Sequence, residues 1–196
     1  MHFARDDTEI MNIPNTITSA RIVMIPVFIA VFFLPYDWAP ALATFVFWLA
    51  AITDWFDGYL ARKLNQQSAL GAFIDPLADK LMVVSALLLI LIKHPDNNWL
   101  LFSSLIIISR EIFISSLREW MSSMGQSDVV AVSFFGKAKT MAQMFALLFL
   151  IYEHDIFGLP TYTFGVGLLV WAAILTIVSM VVYIKSAWST LSDEFS

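Results

Sequence analysis

Long apolar runs separated by short polar clusters make up most of the 196-residue chain. Six runs predict membrane-spanning helices at about Ile17–Leu34, Ala41–Ala61, Leu70–Ile92, Trp99–Trp120, Phe134–Tyr152 and Tyr162–Ile184. Each holds roughly 20 residues, the length needed to cross a bilayer core. The intervening segments have turn chemistry. Asn12-Ile-Pro-Asn-Thr-Ile-Thr-Ser19 offers helix N-caps, Pro35-Tyr-Asp-Trp-Ala-Pro40 is a turn with interfacial aromatics, and His94-Pro-Asp-Asn-Asn98 is a turn cluster. Arg62–Ser68 reads as a polar loop, Ser122–Ser133 as a looser linker and Glu153–Pro160 as a loop. Pro26 predicts a kink in the first span. The organisation expected is therefore a juxtamembrane segment (1–16), one all-α, six-helix integral membrane domain (17–185) and a polar tail (186–196). No internal repeat or low-complexity segment interrupts it.

Composition agrees with this reading. Apolar residues make up 59% of the chain and charged residues 14%, against about 45–50% and 25% in soluble domains. Mean hydropathy is +0.77. Residues 1–12 are acidic rather than basic, so no cleavable signal peptide is expected. The net charge of −5 does not point to nucleic acid.

Six spans put both termini on one side of the membrane, and the cations select which. Arg5, Arg21, Arg62, Lys63, Lys80, Arg110, Arg118, Lys137, Lys139 and Lys185 fall on or near one side, and only Lys93 on the other, ten of eleven. Positive charge marks the cytoplasmic side, so both termini are expected there.

Against this background four aspartates stand out: Asp54, Asp57, Asp75 and Asp79. An aspartate at the centre of a membrane helix costs about 2.5–3.5 kcal/mol, and four left deep and unpaired on the order of 10 kcal/mol. Helical spacing places Asp54, Asp57 and Ala61 on one face of the second span, and Gly71, Asp75 and Asp79 on one face of the third. If those spans pack antiparallel, the carboxylates converge, and like charges so close stay ionised only when cations join them. The chain has no cysteine and three histidines, all near expected loops or termini. A buried metal site would thus be oxygen-ligated, which favours a hard cation such as magnesium, manganese or calcium over zinc. Gly58, Ala61, Gly71, Ala72 and Ala78 leave room for a ligand or for close helix approach.

The array Asp54-x2-Asp57-Gly58-x2-Ala61-Arg62-x8-Gly71-x3-Asp75-x3-Asp79 resembles the signature of the CDP-alcohol phosphotransferases, complete at all eight positions. Three further stretches are similar to the bacterial members of that family that use a phosphorylated acceptor. They are Asn12-Ile-Pro-Asn15 with Thr18 and Arg21, Arg110-Glu111 with Leu117-Arg-Glu-Trp-Met121, and Gly136-Lys-x-Lys-Thr140 with Gln143. The likeness covers about residues 12–145, and the sixth span adds little beyond hydrophobicity. It implies a six-helix fold, a homodimer in the bacterial inner membrane and a site at the cytoplasmic face. It also implies CDP-diacylglycerol and sn-glycerol 3-phosphate as substrates, CMP as a product and two magnesium or manganese ions as cofactor.

By the same resemblance Asp54, Asp57 and Asp75 are metal ligands, with Asp79 a further ligand or neighbour. Asp79 is also the candidate general base, being one turn from Asp75 and not needed as a primary ligand. Asp57, Gly58, Ala61, Arg62 and Gly71 are candidates for CDP-diacylglycerol. Arg62 is read as functional by its place in the array, and Lys63 as a topology anchor. Arg110, Arg118, Lys137, Lys139 and Arg21 are candidates for the acceptor's phosphate. Arg110 lies inside the apolar run Leu105-Ile-Ile-Ile-Ser-Arg-Glu-Ile-Phe113, where a charge needs a partner, and Glu111 is read as orienting a neighbouring cation. Lys80 can contact phosphate or snorkel to the interface. Two other readings stand beside this one: a sister enzyme that transfers to serine, inositol phosphate or phosphatidylglycerol, and an ion transporter. A transporter predicts polar residues across the outer halves of the spans, and those halves are apolar.

Overall fold

A computed structural model describes the backbone of residues 13–64, 69–123 and 134–194, and the side chains of 21–53, 74, 77–123 and 138–185. Six helices lie where the apolar runs predicted them: α1 (Ile13–Phe32), α2 (Ala39–Leu64), α3 (Ala69–Lys93), α4 (Asn98–Ser123), α5 (Phe134–Tyr152) and α6 (Thr161–Glu194). Among the described residues there is no strand, only an isolated bridge between Ile156 and Leu159. α2 and α4 extend past their expected spans at both ends, because polar residues at a membrane interface still satisfy their backbone by helix formation. For the same reason α6 continues beyond Ile184 into the polar segment, as far as Glu194. Part of the expected 122–133 linker, residues 124–133, lies outside the described residues.

Among the described residues, two helical stretches are long and apolar enough to cross a membrane, Asn98–Ser123 and Thr161–Lys185. Arg21–Phe32, Ala39–Thr53 and Ala138–Tyr152 are shorter apolar stretches. Burial runs opposite to that of a water-soluble bundle. Phe102, Ile112 and Trp171 are more than half exposed, whereas Arg110 and Lys139 are buried. That reversal suits a hydrocarbon solvent, which welcomes apolar side chains and excludes charge.

The chain forms two compact units, Met1–Leu89 and Ile90–Ser196. In the first, α1 packs on α2. Phe28 is the centre of that contact, with its ring 5.8 Å from Phe47 and 6.0 Å from Phe32. Ala39, Ala43, Val46, Phe47 and Ala50 form the buried stripe of α2. The turn before α2 carries Tyr36 stacked on Trp38 at 5.2 Å, both exposed, as aromatics at an interface would be.

In the second unit α6 packs on both α5 and α4. Leu100, Ile107, Ile114 and Met121 repeat every seven residues as the buried seam of α4. On α6 the seam is Leu169, Ala172, Ala173, Thr176, Ser179 and Tyr183, and on α5 it is Lys139, Gln143, Ala146, Leu147, Leu150 and Ile151. Thr176 and Ser179 donate back to the carbonyls of Ala172 and Thr176, so their burial leaves no hydroxyl proton unsatisfied. Asn97 caps α4, its Oδ1 accepting from the backbone N–H of Trp99 (3.0 Å) and Leu100 (3.2 Å). The same residue donates to the Tyr162 hydroxyl at 2.8 Å. Glu153 then pairs with Lys93 and with His94, tying the α3–α4 turn to the α5–α6 loop.

Gly165 sets the α5–α6 distance. A Cβ there would stand 2.7 Å from Leu150 Cγ and 3.2 Å from the Ala146 carbonyl oxygen, whereas one at Gly167 would meet nothing within 4 Å. Helix propensity alone favours alanine over glycine by about 1 kcal/mol at both. Overpacking costs about 1–3 kcal/mol. Gly165→Ala is therefore expected to lower the apparent Tm in detergent by roughly 2–8 °C, while Gly167→Ala leaves it unchanged or raises it. Equal effects from the two substitutions would show that the close approach carries no constraint.

Candidate active site

The aspartate array, within the first unit, is placed by backbone register. α2 is continuous from its buried alanine stripe to Leu64. Positions 54, 57 and 61 extend the 43–46–47–50 register, so Asp54, Asp57 and Ala61 follow Ala43, Val46, Phe47 and Ala50 along one line. Gly58 and Arg62 share these last turns of α2. Gly71, Asp75 and Asp79 lie in the first three turns of α3. The side chains of Asp54, Asp57, Arg62 and Asp75 lie outside the described residues, and so does the expected convergence of the four carboxylates. Asp79 is described and exposed. Among the described residues no three acidic, histidine or cysteine side chains gather to hold a metal. The residues at positions 54, 57, 75 and 79 are all carboxylates, a chemistry that fits a hard divalent cation.

A cation group within the second unit is described atom by atom. Lys139, from the α5 seam, and Arg110, from the α4 seam, are 3% and 8% exposed. Both meet Glu111: Arg110 Nη1 donates to Oε1 at 3.0 Å, and Lys139 Nζ donates to the same oxygen. Tyr183 of α6 completes the group. Its ring lies 5.6 Å from the Arg110 guanidinium carbon and 5.7 Å from that of Arg118. Two cations thus share one carboxylate and Arg118 lies against the same ring, so the described residues of the group carry three positive charges and one negative. The Arg110 Nε is buried and makes no hydrogen bond among the described residues. A buried donor of that kind is costly unless something accepts from it. Excess positive charge with a spare donor is what an anion binds.

Of the cations expected to serve the acceptor, the structure brings together Arg110, Arg118 and Lys139. Lys137 is on the first turn of α5, its side chain outside the described residues. Arg21 is buried in the first unit, at 1% exposure. Glu111 orients not one neighbouring cation but two. Tyr183 was missed, because in the sequence it is one aromatic among many in an apolar span. The only hint was its place near the C-terminal end of that span.

An aspartate array on consecutive helices and a buried cation group, in a chain of membrane-like burial, describe a class of lipid-modifying transferase. The chain matches the CDP-alcohol phosphatidyltransferase family over residues 11–183 and belongs to it. That match reaches the end of the α6 seam, further than the sequence motifs alone. Relatives from Salmonella typhimurium and Escherichia coli (strain K12), both named CDP-diacylglycerol--glycerol-3-phosphate 3-phosphatidyltransferase, are each 45% identical to this chain over 183 residues. The alignments cover 93% of this chain and 98% of theirs. A relative of the same name from Shigella flexneri matches to the same extent.

Removing one partner of a buried ion pair costs about 3–5 kcal/mol, because the other charge is stranded. Glu111→Gln is expected to destabilise the protein strongly in a thermal-shift assay. Adding Lys139→Met should restore part of the loss, with a coupling of about 2 kcal/mol. Simple additivity of the two substitutions would mean that the pair is not energetically coupled.

Proposed function

We propose that this protein transfers the phosphatidyl group of CDP-diacylglycerol to sn-glycerol 3-phosphate, yielding phosphatidylglycerophosphate and CMP. The observation that carries the acceptor assignment is the group of buried Arg110 and Lys139 and exposed Arg118 around Glu111 and Tyr183, with three positive charges to one negative among the described residues. A neutral or zwitterionic alcohol would leave that charge unanswered, whereas a phosphomonoester answers it.

In the proposed reaction the 1-hydroxyl oxygen of glycerol phosphate attacks the phosphorus bearing the diacylglycerol. The bond from that phosphorus to the bridging oxygen breaks, and CMP leaves with that oxygen. Asp79, exposed on α3, accepts the hydroxyl proton. Asp54, Asp57 and Asp75, with Asp79 beside them in sequence, would hold two magnesium or manganese ions. Ions there supply charge neutralisation for the diphosphate oxygens. Asp57, Gly58, Ala61, Arg62 and Gly71 would receive the CDP moiety, the small residues by admitting it close to the backbone and Arg62 by meeting phosphate. Arg110, Arg118, Lys137 and Lys139 would bind the acceptor's phosphate, and Arg21 is a further candidate on the sequence alone. We place the protein in the bacterial inner membrane as a six-span homodimer with both termini and the site facing the cytoplasm. The support for that orientation is the one-sided distribution of cations.

Purified protein supplied with CDP-diacylglycerol, magnesium or manganese and a panel of acceptors should release CMP with sn-glycerol 3-phosphate and not with serine, inositol phosphate or phosphatidylglycerol. No CMP with any acceptor would sink the transferase reading, and CMP with serine alone would sink the acceptor assignment. Asp75→Asn should abolish both metal binding and turnover, while Asp79→Asn spares metal binding more than turnover. Equal loss of metal binding in both would remove the reason for treating Asp79 as the base. Arg110→Ala should raise the KM for glycerol phosphate about 10- to 100-fold, the worth of a charge-assisted contact, with little change for CDP-diacylglycerol. Parallel changes in the two would make Arg110 structural.

A further inference from the structure

Glu111 and Tyr183 hold the same arginine by different physics. Glu111 accepts hydrogen bonds from Arg110 and Lys139. In doing so it cancels one positive charge and occupies donors. Tyr183 offers only the face of its ring to Arg110 and Arg118. The negative quadrupole of an aromatic face attracts a guanidinium without neutralising it and without using its N–H groups. A guanidinium has five donors in a fixed fork, of which the ring takes none and Glu111 takes one from Arg110. A second carboxylate at this position would hold the arginines equally well but would compete with an incoming anion.

The ring is itself fixed. Tyr183 is 4% exposed and belongs to one buried cluster with Ile114 and Met121, against which Leu117 and Met180 pack. Arg110 and Arg118 are eight residues apart on α4, a rise of about 12 Å. Arg110 is buried at the inner position and Arg118 is exposed. A single rigid ring on a different helix contacts both.

We infer that Tyr183 is the positioning residue for the acceptor's phosphomonoester: its ring holds Arg110 and Arg118 in place while leaving their charge and donors available to the anion. The inference rests on the proposed use of this cation group for glycerol phosphate, and it assigns to α6 a part in acceptor specificity. It concerns binding of the acceptor, not the chemical step.

The test measures kcat and both KM values for Tyr183→Phe, Tyr183→Trp, Tyr183→Leu and Tyr183→Met in detergent-solubilised full-length protein, with Arg110→Ala alongside. Loss of a desolvated cation–π contact predicts that Tyr183→Leu and Tyr183→Met raise the KM for glycerol phosphate about tenfold. The KM for CDP-diacylglycerol and kcat should change less than about threefold, and Tyr183→Phe and Tyr183→Trp should restore most of the acceptor KM. The inhibition constant of inorganic phosphate, competing with glycerol phosphate, should rise by the same factor as that KM. Tyr183→Met keeps an adaptable apolar side chain in the cluster, so it serves if Tyr183→Leu fails to fold. An unchanged acceptor KM in Tyr183→Leu or Tyr183→Met, with Arg110→Ala impaired, overturns the positioning role and leaves the acceptor site standing. If Arg110→Ala also leaves the acceptor KM unchanged, the site reading fails first and the inference with it. A fall in kcat with parallel rises in both KM values makes Tyr183 a packing residue only. Phenylalanine as damaging as leucine overturns the inference in favour of the hydroxyl.

Discussion

Two interactions with the side chain of Arg110 organise the second unit of this protein. One is the hydrogen bond from its Nη1 to Glu111, which also receives Lys139 from α5. The other is its contact with the ring of Tyr183 from α6. Charge in an apolar interior is expensive unless paired, so three helices deliver a partner to one point. The seams that bring them there are otherwise ordinary: a seven-residue repeat on α4 and small residues on α6. The pairing is incomplete among the described residues, since one carboxylate serves two cations and a third, Arg118, meets only the ring. That deficit sets this group apart from a structural salt bridge, which would tend towards neutrality. It also makes the group suited to an anion that comes and goes.

The opposite end of the same unit shows what closed polar pairing looks like. Glu153 meets Lys93 and His94, Asn97 caps α4 and donates to Tyr162, and Thr161 donates to the His154 carbonyl. These contacts join turns and helix ends and hold them together. Both ends carry charged residues in comparable number, yet only the one containing Arg110 and Lys139 combines deep burial with surplus charge. The distinction is physical and does not depend on any motif.

The family match, to residue 183, gives this arrangement its setting. On the proposed reading the signature aspartates supply the chemistry common to the class, the handling of a CDP-alcohol's diphosphate. What separates members is the second alcohol, and recognition of that alcohol falls to residues outside the signature. In this chain the proposed acceptor residues come from α4, α5 and α6, with a buried aromatic ring as a neutral support.

Much of this was legible in the sequence. The six helices follow from the length and apolar content of the runs, since a backbone in hydrocarbon must satisfy its own hydrogen bonds. The aspartate array was legible because charge in an apolar chain is conspicuous and its spacing is set by the helical repeat. Arg110 drew notice for the same reason. The role of Tyr183 was not legible: one tyrosine in an apolar span has no distinctive spacing, and 73 residues separate it from Arg110. Nor could the sequence show that Glu111 serves two cations, or that Arg118 stays exposed while Lys139 is buried. Local patterns determine which residues are helical and which face they share. Only the packing of α4 and α5 against α6 decides which charge is answered, by which partner, and which is left for a ligand.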